Sequence, residues 1–212
     1  MEYIKSINSN QHQIINDILK LHNNGNGIHL DCTYSKGVFY KKGIVKEPIL
    51  KSDLYPQIEG CLESSSSSLP FEDNSIESIM FDPPFVISGK KYAETAEGSC
   101  KISKRFGAYD TWNDLKEHYF NSLKEFNRIL VKNGLLIFKL QNTISSGKEH
   151  FTHYYTIDSA VKNGFYPLDE FVLLSKSKMT SFGGRWNTQR HALKYHSFFL
   201  VFRNTKCKVN YE

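Results

Sequence analysis

Asp82-Pro83-Pro84-Phe85 follows directly on the apolar run 76–81, and these four residues together suit one task. The carboxylate of Asp82 can accept a hydrogen bond from an amine. The two prolines stiffen the turn and withhold N–H donors, so the carbonyl of Pro83 is open to a second hydrogen of the same amine. Phe85 adds a ring face on which a flat aromatic base can stack. The group therefore fits a grip on an exocyclic amine of a nucleobase. Asp-Pro and Pro-Pro are also ordinary turn dipeptides, so the motif takes its weight from its surroundings.

Two segments suit a polyanion. Residues 86–111 make a connection far longer than is usual between a strand and a helix. They contain Lys90, Lys91, Lys101, Lys104 and Arg105 among Tyr92, Phe106 and Tyr109, against Glu94, Glu97 and Asp110. Residues 176–194 carry Lys176, Lys178, Arg185, Arg190 and Lys194 with no acid, and include Trp186 and His191. Cations interleaved with aromatics fit contact with nucleic acid. The candidates for that contact are Arg105, Arg185, Arg190, His191 and Lys194, although a lysine on a loop is by default solvated surface. His150-x-x-His153 has a spacing seen in metal sites, but no third ligand accompanies it and no metal is expected. Lys139 and Gln141, at the end of a strand, either face a pocket or cap the strand. Asn8, Asn10 and Gln11 are candidates to approach a ligand from the N-terminal segment.

The elements that must position these residues alternate between strand and helix. Residues 9–22 place Ile14, Ile15, Ile18 and Leu19 on one helical face and stop at Asn23-Asn24-Gly25. A short strand over 28–31 ends in Asp31, and weaker strands are expected at 48–51 and 61–63. The run 76–81 leads into the Asp82 turn. Trp112, Leu115, Tyr119, Leu123, Phe126 and Leu130 recur at helical spacing and predict a helix over 112–131, with Gly134 suited to its left-handed cap. A buried strand over 135–140, a helix over 151–163 and two strands over 166–174 and 195–202 complete the chain. The last two strands have no helix between them and predict an antiparallel edge hairpin. Such alternation favours a mostly parallel α/β sheet with helices on both faces.

The 212 residues suit a single domain, taken as residues 1–212. Apolar content of 40% and charged content of 23% are globular values, and the net charge is a mild +5. No apolar stretch reaches the roughly 18 residues of a membrane helix, so no membrane partner is expected. Cys32, Cys61, Cys100 and Cys207 are scattered, which argues against a zinc site or disulfide framework and for a reducing cytoplasm.

With these parts in order, the chain resembles the class I S-adenosylmethionine-dependent amino-methyltransferases, a Rossmann-like fold whose members modify adenine N6 or cytosine N4. The resemblance runs from about Gln11 to Arg203. It rests on the loop Leu30-Asp31-Cys32-Thr33-Tyr34-Ser35-Lys36-Gly37, on 69–75, on the Asp82 motif, on 125–134 and on 189–199. It implies S-adenosyl-L-methionine as cofactor, held by Asp31, Thr33, Ser35, Gly37, Asp53 and Ser65, with Asp53 on the ribose. It implies Asp82, Pro83, Pro84 and Phe85 as the catalytic residues. The implied substrate is nucleic acid, DNA before RNA, with base flipping to expose the target; a homodimer or partner subunit is open. Short bacterial or phage adenine-N6 enzymes are the nearest in pattern. An RNA enzyme acting on adenine N6 or guanine N2, a cytosine-N4 enzyme, and a non-catalytic subunit of this fold are the alternatives. The loop departs from the family in carrying Ser35 where glycine is common.

Overall fold

The computed structural model describes residues 3–87, 108–175 and 189–209. In chain order the elements are β1 (Ile7–Asn8), α1 (Gln11–His22), β2 (Leu30–Asp31), β3 (Leu50–Asp53), β4 (Leu62–Glu63) and β5 (Ile76–Phe81). There follow α2 (Trp112–Ile129), β6 (Leu130–Leu140), β7 (Thr143–Ser145), β8 (Lys148–His150), α3 (Thr152–Lys162), β9 (Phe165–Leu174) and β10 (His196–Asn204). Eight strands form one sheet in the order β1-β9-β10-β6-β5-β2-β3-β4. Strands β2 to β6 run parallel, and β10 lies antiparallel between β6 and β9. The fold is thus the expected one: a mostly parallel sheet, helices on both faces and an antiparallel pair.

Alternation along the central strands divides the core. Leu136, Phe138 and Leu140 of β6 join Phe81, Tyr119, Phe126 and Leu200 on the face covered by α2. Leu135 and Ile137 join Ile14, Ile18, Phe171 and Phe199 on the face covered by α1. Continuous apolar strands with no solvated face are what a sheet covered on both sides requires. Both long helices are capped by their own sequence. The side chain of Asn10 accepts from the His12 N–H at 3.0 Å. Thr111 and Asp114 cap α2 reciprocally, at 3.2 and 2.8 Å.

Three local expectations are corrected. Helix α2 ends at Ile129, because Leu130 is already extended (φ −68°, ψ 139°) and β6 begins there. Asn133, not Gly134, takes the left-handed conformation, with φ +64°. Gly134 serves close approach instead, since a Cβ there would lie 2.9 Å from the Val131 carbonyl and 3.1 Å from that of Glu77. The helix expected over 151–163 is α3, Thr152–Lys162, and His150 ends β8 before it, so the two histidines of the pair lie on different elements. Strand β1 and the β7–β8 hairpin carry no sequence signal of their own.

Candidate functional site

The parallel strands β2 and β5 are neighbours, yet the chain visits β3 and β4 between them. This reversal of strand order opens a crevice at their C-terminal ends, where ligands settle in open α/β sheets. Thr33 follows β2 and Asp82 follows β5. The backbone N–H of Asp82 donates to Thr33 Oγ1 at 2.8 Å and ties the two loops together. A cavity of about 520 Å³ opens there, lined by Thr33, Ser35, Asp53 and Ser65 together with Asp82 to Phe85. That volume lies within the usual range of small-molecule pockets.

The loop after β2 is held by buried groups. Asp31 is fully buried, accepting from the Tyr40 hydroxyl at 2.7 Å and from the Thr33 N–H at 2.9 Å. Burial pushes its carboxyl up to about 7 against the pull of those bonds, and the nearby charges of Asp82 and Asp53 add to the rise. Neither Asp31 nor Gly37 is among the residues lining the cavity, and Asp31 braces the loop from beneath it. Ser35 adopts φ +50°, the conformation that glycine takes freely, and thereby keeps the turn that a glycine would give. Its N–H donates to Asp53 Oδ2 at 2.8 Å, and the Tyr55 N–H donates to Asp53 Oδ1 at 2.8 Å. Gly37, with φ +64°, is irreplaceable for a second reason: a Cβ would sit 2.3 Å from the Tyr34 hydroxyl oxygen. Among the described residues the Ser35 hydroxyl is buried without a partner.

The motif turn is fixed at two further points. Lys139 Nζ donates to Asp82 Oδ2 at 3.0 Å. The Tyr119 hydroxyl donates to the Pro84 carbonyl at 2.9 Å. Tyr119 itself packs edge-on to Phe81 and Phe138 within the core. Among the described residues no donor engages the Pro83 carbonyl. Phe85 is half-buried at the cavity wall.

Sequence reasoning missed much of the wall between the two sides. His118 Nδ1 lies 2.5 Å from the Tyr109 hydroxyl, and its Nε2 lies 2.8 Å from Ser66 Oγ, which in turn meets Ser122 Oγ at 2.9 Å. Burial pulls the His118 imidazole down to about 4, so the ring is neutral at pH 7. The five consecutive serines 64–68 are thus anchored to helix α2 through Ser66. Ser65 bonds Ser67 Oγ at 2.9 Å and faces the cavity. Leu54 and Tyr55, both more than half exposed, form an apolar lip after β3. No spacing in the sequence marks His118 or Ser66; only contact through the fold does. Lys139, left open between pocket and cap, reaches the motif.

The candidates for nucleic-acid contact divide. Arg105 and Arg185 lie outside the described residues. Lys194 Nζ is paired with Glu149 Oε1 at 2.5 Å, and His191 Nε2 lies 2.9 Å from the Gly147 carbonyl. Both thus anchor the segment 189–194 to the β7–β8 hairpin, which ties their polar groups to the protein. Asn10 caps α1 and Asn8 Oδ1 accepts from the Asn10 N–H, so neither reaches the cavity. Among the described residues no cluster of histidine, cysteine and acid could hold a metal, and no helix is long and apolar enough to cross a membrane.

No family model and no curated protein matches the chain. Solved structures do. The [4+2]-cyclase SpnF is similar over 91% of this chain and 80% of its own, at 11% identity and a TM-score of 0.55. The N-methyltransferase NodS of Bradyrhizobium japonicum WM9, crystallised with S-adenosyl-L-homocysteine, is similar over 92% and 85%, at 8% identity and 0.51. The cytosine-N4-specific PvuII DNA methyltransferase aligns over 68% of this chain and 48% of its own, at 17% identity and 0.47, too low to carry weight. The chain spans about half the length of that enzyme and of TTHA0409 from Thermus thermophilus. A cyclase and a methyltransferase on one scaffold mean that the scaffold does not fix the reaction. The strand order, the antiparallel β9–β10 pair and the two likenesses that span most of the chain identify the Rossmann-like class I methyltransferase fold.

Proposed function

We propose that this chain transfers a methyl group from S-adenosyl-L-methionine to an exocyclic amine of a nucleic-acid base, adenine N6 in DNA being the preferred target. The observation that carries the reading is that Asp82, Pro83 and Phe85 line the same cavity as Ser35, Asp53 and Ser65.

The residues present fit the cofactor. Each Asp53 oxygen accepts one backbone N–H and keeps room for a ribose hydroxyl. The unpartnered Ser35 hydroxyl offers one more polar contact, and Ser65 with the Leu54–Tyr55 lip suits an adenine. Asp53, the lining acid without a lysine partner, favours the positive charge of the cofactor. When bound, the cofactor supplies an activated methyl on a positively charged sulfur.

The chain's own part is alignment more than acid or base chemistry. Asp82 and the Pro83 carbonyl each accept one amine hydrogen, which draws the nitrogen towards a tetrahedral shape and localises its lone pair. The same two acceptors stabilise positive charge on that nitrogen as its new bond to carbon forms and the sulfur–carbon bond breaks. The nitrogen then sheds one proton to solvent. Phe85 stacks on the base and returns ~1–3 kcal/mol of the cost of unstacking it. Arg105, Arg185 and Arg190 are assigned to the nucleic acid outside the cavity. Sequencing of modified bases from a host expressing the protein tests the reading: N6-methyladenine in host DNA supports it. Methylated RNA bases with unmodified DNA would move the target to RNA, and no modified base in either would reject it.

A further inference from the structure

Lys139 is an uncommon residue for its position. It stands near the end of β6 on the α1 face, paired across the sheet with Phe199. Its ammonium lies 5.0 Å from the centre of the Phe39 ring and 5.8 Å from that of Phe199. Only 14% of its side chain is exposed. An ammonium withdrawn from water to this degree is costly unless a charge answers it. The answering charge is Asp82, whose Oδ2 it holds at 3.0 Å. The aromatic faces supply further electrostatic support and fix the stem. Phe39 is in turn held from α1, since His12 Nδ1 lies 2.8 Å from its carbonyl. A chain of contacts thus runs from α1 through Phe39 and Lys139 to the motif carboxylate.

We propose that Lys139 is a positioning residue that occupies one oxygen of Asp82, offsets its charge and leaves Oδ1 as the single oriented acceptor for the substrate amine. This rests on the methyl-transfer reading. The Thr33 hydroxyl, accepting from the Asp82 N–H, fixes the backbone; Lys139 fixes the side chain. Two consequences follow. The carboxylate cannot rotate to present either oxygen indifferently. The pair also carries no net charge, so the crevice does not hold a cationic cofactor much more tightly than its neutral product through this group.

The second consequence can be read without turnover. In Lys139→Met, an apolar side chain of similar length, the carboxylate of Asp82 is uncompensated and favours a positive sulfur. Affinities of the full chain for S-adenosyl-L-methionine and S-adenosyl-L-homocysteine, measured by calorimetry, give a ratio that isolates charge. The ratio is expected to shift about fivefold or more towards the sulfonium form in Lys139→Met and to stay at its wild-type value in Lys139→Arg. Methyl transfer is expected to fall at least about tenfold in Lys139→Met at saturating cofactor and to return in part in Lys139→Arg. General loosening of the strand would weaken both ligands alike, so an unshifted ratio overturns the assignment, as does a wild-type chain that binds neither ligand. A shifted ratio in a wild-type chain that methylates nothing would uphold the pairing and its charge while rejecting the reaction assigned above.

Discussion

The hydroxyl of Tyr119 donates to the carbonyl of Pro84 at 2.9 Å, from a side chain buried completely in the core. The second proline of the motif is thereby fastened to helix α2, while among the described residues no donor engages the carbonyl of the first. Two adjacent carbonyls on donor-free residues are sorted by one phenol: one is structural, the other available. The separation gives the motif turn a fixed direction, which a surface turn of the same sequence would lack.

Tyr119→Phe removes that hydrogen bond with little change in packing. It should destabilise the protein by about 1 kcal/mol, the usual net value of one such bond with a buried acceptor left behind. Denaturant unfolding with an unchanged slope is the measurement. A variant as stable as the parent would mean that water replaces the phenol at Pro84.

Two positions in the loop after β2 should respond oppositely to substitution. Gly37→Ala meets both a left-handed backbone and the Tyr34 ring, and should cost at least about 2 kcal/mol and weaken cofactor binding. Ser35→Gly relaxes a strained φ of +50° and should be neutral or stabilising by less than ~1 kcal/mol. Thermal melts of the two variants settle the contrast; equal losses would contradict it.

Asp31 gives the stability a pH dependence of unusual sign. Its ordinary value is 3.8, and burial raises it to about 7 in the folded chain. The folded state therefore binds this proton more tightly than the unfolded one. The contribution is fully present below about pH 4 and is lost as pH rises to about 7, after which it stays constant. Asp31→Asn, which cannot ionise, should gain stability relative to the parent across that window. Melting curves taken at intervals from pH 4 to 8 should diverge up to about pH 7; parallel curves would show that Asp31 is ionised in the fold.

Most of this architecture was legible because its residues are patterned over long spans. The apolar periodicity of α2 and the run at 76–81 each report a face that must be buried. Local features were harder to read. Asn133 took the left-handed position in place of Gly134 because the glycine was needed where β5 passes close. Lys139 could not be assigned from sequence, since its partner Asp82 lies 57 residues away. His118 and Ser66 carry no motif, and they meet only because α2 packs beside the serine turn. Of the loop candidates, Lys194 and His191 meet Glu149 and Gly147 of the β7–β8 hairpin, which no pattern in the sequence marks.

Substituting Arg105, Arg185 and Arg190 together should weaken nucleic-acid binding and flatten its dependence on salt, because fewer counterions are released. Binding isotherms at several salt concentrations measure the slope, and cofactor affinity serves as the control. An unaltered slope would place recognition elsewhere on the protein.

The central claim is that Asp82 grips the amine being methylated. Asp82→Ala leaves the ammonium of Lys139 without its partner, so a loss of about 1–2 kcal/mol in stability is expected and must be checked first. The deciding measurement is nucleoside mass spectrometry on duplex DNA incubated with S-adenosyl-L-methionine and either protein. The wild-type chain should form N6-methyladenine. The folded variant, assayed at saturating cofactor, should form it at least about a hundredfold more slowly. Transfer by Asp82→Ala at a rate near that of the parent would contradict the account.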